Sequence, residues 1–91
     1  MPTVWIPSLL QDLADGREKV DVSGSNVGEV IDALDRVCPG IKDRLCQAGR
    51  LRPGIAVAVD SQFARLGLGQ PVRQASEIQI VPAIGGGSLA K

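Results

Sequence analysis

Asn26-Val27-Gly28-Glu29-Val30-Ile31-Asp32-Ala33-Leu34-Asp35-Arg36-Val37-Cys38-Pro39-Gly40 carries one amphipathic helix with both ends marked. Asn26 followed by Glu29 has capping-box spacing: the asparagine side chain can accept from a first-turn amide while the glutamate reaches back. Val27, Val30, Ile31, Leu34, Val37 and Cys38 recur at spacings of three and four, which gathers them into one apolar stripe. Pro39-Gly40 ends the run. Ile41 and Leu45 suggest a second, short helix beyond it.

The segments on either side alternate with the period of strands. Val4-Trp5-Ile6 places Val4 and Ile6 on one side and Trp5 on the other. Asp15-Gly16 is a turn signal. Glu18 to Val22 then sends Val20 and Val22 to a common face, so the first two strands read as a hairpin with a long, partly apolar connection. After the helix, Gly49 to Gly54 reads as a basic loop. Ile55-Ala56-Val57-Ala58-Val59 is the clearest strand, with three branched residues on one face and two alanines on the other. Asp60-Ser61 turns the chain. Gln62 to Gln74 is loop-like, with room for one short strand, and is anchored by Phe63, Leu66, Leu68 and Val72. Glu77 to Val81 forms the last strand, with Ile78 and Ile80 on one side and Glu77, Gln79 and Val81 on the other. Pro82 has no amide to donate and is expected to stop the pairing.

One helix can cover one face of one sheet. The layer rule therefore gives a two-layer α+β fold. A mixed sheet of four to five strands packs on the main helix through Val4, Ile6, Val20, Val22, Ile55, Val57, Val59, Ile78 and Ile80, the β-grasp pattern. The expected division is a domain over residues 1–84 and a flexible tail over 85–91.

Composition narrows the function. The chain has 91 residues, room for one modest core. Ten basic residues balance ten acidic ones, so no overall field favours nucleic acid or a membrane surface. The bases gather late: Arg44, Arg50, Arg52, Arg65, Arg73 and Lys91 face only Asp60 and Glu77 after Asp43, as a solvated face or as a contact for an acidic partner. There is no apolar stretch near the roughly 20 residues of a membrane span and no signal-peptide pattern, so the expected location is cytoplasmic. Cys38 and Cys46 form no CxxC pair, and the chain has no histidine. No metal site, bound cofactor or catalytic residue of its own is expected. A plant-type iron–sulfur cluster would need four cysteines.

The chain closes with Pro82-Ala83-Ile84-Gly85-Gly86-Gly87-Ser88-Leu89-Ala90-Lys91. Taken alone, a glycine run near a terminus reads as a flexible end. Its position after a rigid strand and a proline gives it another use, because residues without side chains can thread a narrow channel. A carboxylate on Gly87 would then reach a buried active site in another enzyme.

These residues carry a resemblance. An ending of the Pro-Ala-x-x-Gly-Gly type after a Glu-Ile-Gln-Ile-Val strand is similar to the MoaD/ThiS family of ubiquitin-like sulfur carriers. Val4-Trp5-Ile6-Pro7-Ser8-Leu9-Leu10, the helix Val27 to Val37, and Gly40-Ile41-Lys42-Asp43-Arg44-Leu45 look especially like its branch serving cysteine biosynthesis in actinobacteria. The resemblance spans Met1 to Gly87. It implies a carrier whose terminal glycine is adenylated at the expense of ATP by a ubiquitin-activating-like enzyme. The glycine then becomes a thiocarboxylate that serves a sulfur-acceptor synthase. Gly87 would carry the sulfur, with Gly85 and Gly86 threading the partner.

Two features depart from the family pattern. Ala75-Ser76 stands where a Gly-Asp turn is usual. Ser88-Leu89-Ala90-Lys91 follows the glycines, so the resemblance implies a precursor cut between Gly87 and Ser88, as by a JAMM-type zinc protease. In a β-grasp strand order the last strand lies between the first and the Ile55 strand. Trp5, Ala56, Ala58, Gln79 and Val81 then form a docking patch on the helix-free face near the root of the tail. Burial of Trp5 by the 62–74 loop, or a lone exposed Trp5, are the other readings of that position. The expected state is a monomer that pairs transiently with larger enzymes. A ubiquitin-like binding module with an uncleaved tail is the alternative function.

Overall fold

A computed structural model describes residues 1–82, and residues 83–91, with the glycine run, lie outside the described residues. Seven strands and two α-helices follow in order: β1 (Thr3–Trp5), β2 (Lys19–Asp21), α1 (Val27–Val37), α2 (Ile41–Leu45), β3 (Cys46–Gln47), β4 (Arg50–Leu51), β5 (Ile55–Val59), β6 (Gln62–Phe63) and β7 (Glu77–Pro82). Five of them build one sheet in the order β2-β1-β7-β5-β6. The β1–β7 pair is parallel and the others antiparallel, so the sheet is mixed. The expected neighbours of the last strand, β1 and β5, are the observed ones.

The α1 cap forms as the sequence implies, with one change of partner. Asn26 Oδ1 accepts from the Glu29 amide at 2.8 Å. Glu29 reaches back one residue further than expected, to the amide and hydroxyl of Ser25, at 2.9 and 2.8 Å. Val27, Val30, Ile31 and Leu34 of α1 are buried with Val4, Ile6, Val20, Val22, Val57, Ile78 and Ile80 of the sheet in one core. Ile55 and Val59 are half-buried at its rim. Close approach fixes Gly24: a Cβ there would stand 2.7 Å from the Val30 amide nitrogen. Asp35 begins α2 by accepting from the Gly40 and Lys42 amides, and the Asp32–Lys42 ion pair ties the two helices together.

Several local expectations need correction. The connection from β1 to β2 is a 3-10 helix over Ser8–Ala14 that buries Leu10 and Ala14. A small hairpin, β3–β4, begins before the basic loop at Cys46 and takes up its first half, turned at Ala48 and Gly49, both with positive φ. The 62–74 segment begins with β6 and includes a 3-10 turn over Gly67–Gly69. Val37 belongs to the helix but is exposed, at the edge of a stripe whose neighbours Leu34 and Cys38 are fully buried. Phe63 and Leu66 are exposed as well and do not anchor their loop; Leu68 and Val72 do. Pro82 ends β7 in register with Ile55, since a strand can close on a residue that lacks only its amide hydrogen. Among the described residues, no helix is long and apolar enough to cross a membrane.

Candidate functional site

The sheet face away from α1 is built by register. Trp5 pairs with Gln79, Gln79 with Ala58, and Ala58 with Phe63, so these four side chains form one row across four strands. The next row, towards the end of β7, holds Val81 beside Ala56. All five residues expected in the docking patch are therefore brought together. Trp5 lies directly beside Gln79, and the alanines begin one strand further on.

The small side chains keep this face low. Ala58 is buried between Gln79 and Phe63 in register, and Ala56 is half-buried. Val81 is 37% exposed, which leaves an apolar side chain open one residue before Pro82. Trp5, Ile6, Pro7, Gln79, Ile80 and Val81 line a groove of about 290 Å³ at this end of the sheet. Val81 lines this groove one residue before Pro82, the last described residue; Gly85, Gly86, Gly87 and Ser88 are outside the described residues.

Trp5 is half-buried, and its side chain is held by polar neighbours on the face itself. Its indole N–H donates to Glu77 Oε1 at 3.2 Å. Lys19 Nζ lies 5.3 Å from the ring centroid, within cation–π range. The 62–74 loop takes no part in this groove. Lys19 and Glu77 thus orient the ring, a role that strand alternation alone did not signal. Phe63 was also missed as a member of this face. The signal was present: a two-residue turn at Asp60-Ser61 folds Gln62-Phe63 back onto β5 and sets Phe63 opposite Ala58.

The start of β7 is pinned from the same turn. Asp60 Oδ1 accepts from the Glu77 amide at 2.9 Å, and Asp60 Oδ2 accepts from the Ser76 hydroxyl at 2.9 Å. The Glu77 amide, and then the Ser76 hydroxyl, hold the Asp60 carboxyl below its ordinary value. Ser76 Oγ also accepts from the Arg73 amide. Ala75-Ser76 replaces the usual turn through this network. Asp60 and Ser61 both adopt positive φ, 51° and 73°, in a turn type that favours Asn-Gly or Asp-Gly.

The thiols are poor nucleophiles. Cys38 is buried and Cys46 half-buried, and burial pushes both thiols up, which keeps them protonated near neutral pH. Among the described residues, no group of three histidine, cysteine or acidic side chains is placed to hold a metal ion.

Comparison with known proteins places this geometry. The model of the ThiS family matches residues 4–87. The sulfur carrier protein CysO of Mycobacterium tuberculosis is 31% identical over 90 residues, covering 93% of this chain and 97% of the relative. A chain in the crystal structure of the Amycolatopsis orientalis BexX/CysO complex superposes with a TM-score of 0.88 at 32% identity, over 90% of this chain and 94% of the other. The crystal structure of M. tuberculosis CysO gives a TM-score of 0.85 at 29% identity, over 90% and 98% of the two chains. The small archaeal modifier protein 1 of Methanosarcina acetivorans shares the fold, with a TM-score of 0.76 at 23% identity over 89% and 90%.

Proposed function

The chain belongs to the ThiS family, and from that premise we propose that it carries sulfur as a thiocarboxylate on Gly87. The observation that carries this reading is where the family match stops. It runs through residue 87, the third glycine after β7, and leaves out Ser88-Leu89-Ala90-Lys91. The relatives named sulfur carriers cover nearly the full chain, which supports a whole carrier domain.

The chemistry needs a carboxylate at Gly87. Water first cleaves the Gly87–Ser88 amide, a step suited to a JAMM-type zinc protease. The Gly87 carboxylate attacks the α-phosphorus of ATP on a ubiquitin-activating-like enzyme, and pyrophosphate leaves. A sulfide-level sulfur nucleophile then displaces AMP from the acyl-adenylate, and the thiocarboxylate remains. A sulfur-acceptor synthase consumes it. The carrier contributes no acid or base to these steps; it presents a narrow strand of backbone to enzymes that do the chemistry.

The groove at Trp5 and Val81 supports docking of such enzymes, because it flanks the root of the tail. A solved relative was captured as a BexX/CysO complex, which supports recognition by a partner protein. Cysteine biosynthesis is the favoured destination, since the relatives are CysO proteins.

The test is a chain ending at Gly87, incubated with ATP, sulfide and the adenylating enzyme from the same cell. Intact-mass analysis should show one oxygen exchanged for sulfur. No exchange, with a partner proven active on its own carrier, sinks the reading. It would leave a ubiquitin-like binding module.

A further inference from the structure

Three of the ten basic residues are lysines, Lys19, Lys42 and Lys91, and the rest are arginines. The difference matters beside an activated acyl group. A neutral amine attacks it, whereas a guanidinium stays protonated and does not. Lys91 belongs to the extension that the carrier reading removes. Lys19 and Lys42 stay in the domain, and each has a partner. Lys42 is paired with Asp32, whose hydrogen bond and then charge hold its ammonium above the ordinary value. The Lys19 ammonium stands over the Trp5 ring, whose face attracts a cation.

Reach makes Lys19 the amine most at risk. Lys19 pairs with Trp5 and Trp5 with Gln79, which puts it two strands from β7 and three residues short of Pro82. At the usual strand spacing and rise, that is roughly 14 Å from Pro82. An extended chain of five residues, as from 83 to 87, spans about 17 Å. The α-amine of Met1 is beyond that reach, because β1 runs parallel to β7. Thr3 pairs with Glu77, so Met1 stands roughly 20 Å or more from Pro82.

We propose that Trp5 and Asp32 keep these two amines from capturing the chain's own activated Gly87, and so reserve it for sulfur. The inference rests on the carrier reading. In the side reaction a lysine nitrogen bonds to the Gly87 acyl carbon and the acyl bond to AMP breaks. AMP leaves with the electron pair, and the amine gives a proton to solvent. The isopeptide that remains can no longer take up sulfur.

Acylation by the N-hydroxysuccinimide ester of acetic acid, scored by peptide mass mapping of chains ending at Gly87, reads the shielding without a partner enzyme. The reference is the lysine introduced by Arg50→Lys, an exposed position with no ion pair among the described residues. Lys19 and Lys42 should each react about two- to fivefold more slowly than it. Trp5→Leu should speed Lys19 alone, and Asp32→Asn should speed Lys42 alone. A second arm incubates the same chains, Trp5→Leu excepted, with ATP and the adenylating enzyme from the same cell, without sulfide. Isopeptides should exceed the parent's at Lys42 in Asp32→Asn and at the new lysine in Arg50→Lys. Rates at Lys19 and Lys42 that match the reference, or parent isopeptides at the level of the variants, overturn the inference and leave the carrier reading standing. No pyrophosphate from the parent with an active enzyme overturns both.

Discussion

The indole N–H of Trp5 meets the carboxylate of Glu77 at 3.2 Å, from one row away on the neighbouring parallel strand. That bond and the Lys19 ammonium over the ring hold a large apolar side chain in one orientation at the root of the tail. If a partner docks here as proposed, ordering the ring beforehand would remove part of the entropy cost of binding. Removing Glu77's oxygen acceptors should therefore loosen the ring while leaving the core intact. Glu77→Leu should cost about 1 kcal/mol of stability or less, the range of one exposed hydrogen bond. Trp5 is the only tryptophan, so its fluorescence anisotropy reads the change directly. It should fall in the variant. Anisotropy equal to the parent's would show that the bond does not hold the ring.

Trp5 itself tests the groove. Trp5→Glu places a charge in the groove that Val81 also lines and removes the ring from it. The apparent KM for the carrier in adenylation should rise at least tenfold, as for an interface anchor. The far-ultraviolet circular dichroism and melting temperature should change little, since Trp5 points away from the α1 core. Unchanged activation kinetics would remove this groove from the docking surface.

Asp60 gives a pH prediction with a definite sign. Its folded carboxyl is held below the ordinary value by the Glu77 amide and the Ser76 hydroxyl. A lowered folded pKa favours the native state wherever the carboxylate is ionised in both states. The contribution is therefore complete above the unfolded value, about pH 4. It is lost as pH falls through the lower folded value. Asn at this position can keep the positive φ and accept from the amide, but it does not titrate. In urea titrations, Asp60→Asn should flatten the loss of stability below about pH 4. Parallel pH profiles for parent and variant would rule out this linkage.

The core makes the largest prediction. Leu34 is fully buried at the centre of the α1 stripe. Leu34→Ala should cost roughly 2–5 kcal/mol, the range for a buried leucine that leaves a cavity. A domain of this size has about 5–14 kcal/mol in total. The variant should thus lose a large share of its stability in chemical denaturation. A loss under about 1 kcal/mol would mean the helix packs on the sheet through other residues.

What was legible in the sequence follows from length and period. The α1 stripe, β5 and β7 each run for five residues or more, long enough for a period to declare itself. Their faces followed, and with them the row Trp5, Gln79, Ala58 and the neighbouring Val81 and Ala56. The hairpin β3–β4 and strand β6 have two-residue strands, in which alternation has no meaning. The turn at Asp60-Ser61 was read as a turn, but not its tightness, which comes from a positive φ at both residues. Reading Gln62-Phe63 as loop, not as a strand returning along β5, hid Phe63 from the helix-free face. The exposure of Val37 shows another limit of spacing: it stands three residues after Leu34 at the edge of the stripe, while Cys38, one residue on, is buried.

On the proposed carrier reading, the extension after the glycines would separate a precursor from a finished carrier. In the full chain Gly87 is bonded to Ser88, so no carboxylate exists there to attack ATP. Three forms distinguish the steps: the full chain, a chain ending at Gly87, and a chain ending at Gly86. With the adenylating enzyme, ATP and sulfide, only the second should gain one sulfur in place of oxygen. The third keeps a terminal glycine but shortens the reach by one residue, about 3.5 Å of extended chain. A catalytic geometry tolerant to only a fraction of that distance should reject it. Sulfur uptake by the Gly86 form at a similar rate would move the carrying residue from Gly87 to Gly86. Uptake by the full chain would show that the carboxylate of Lys91 is the one activated.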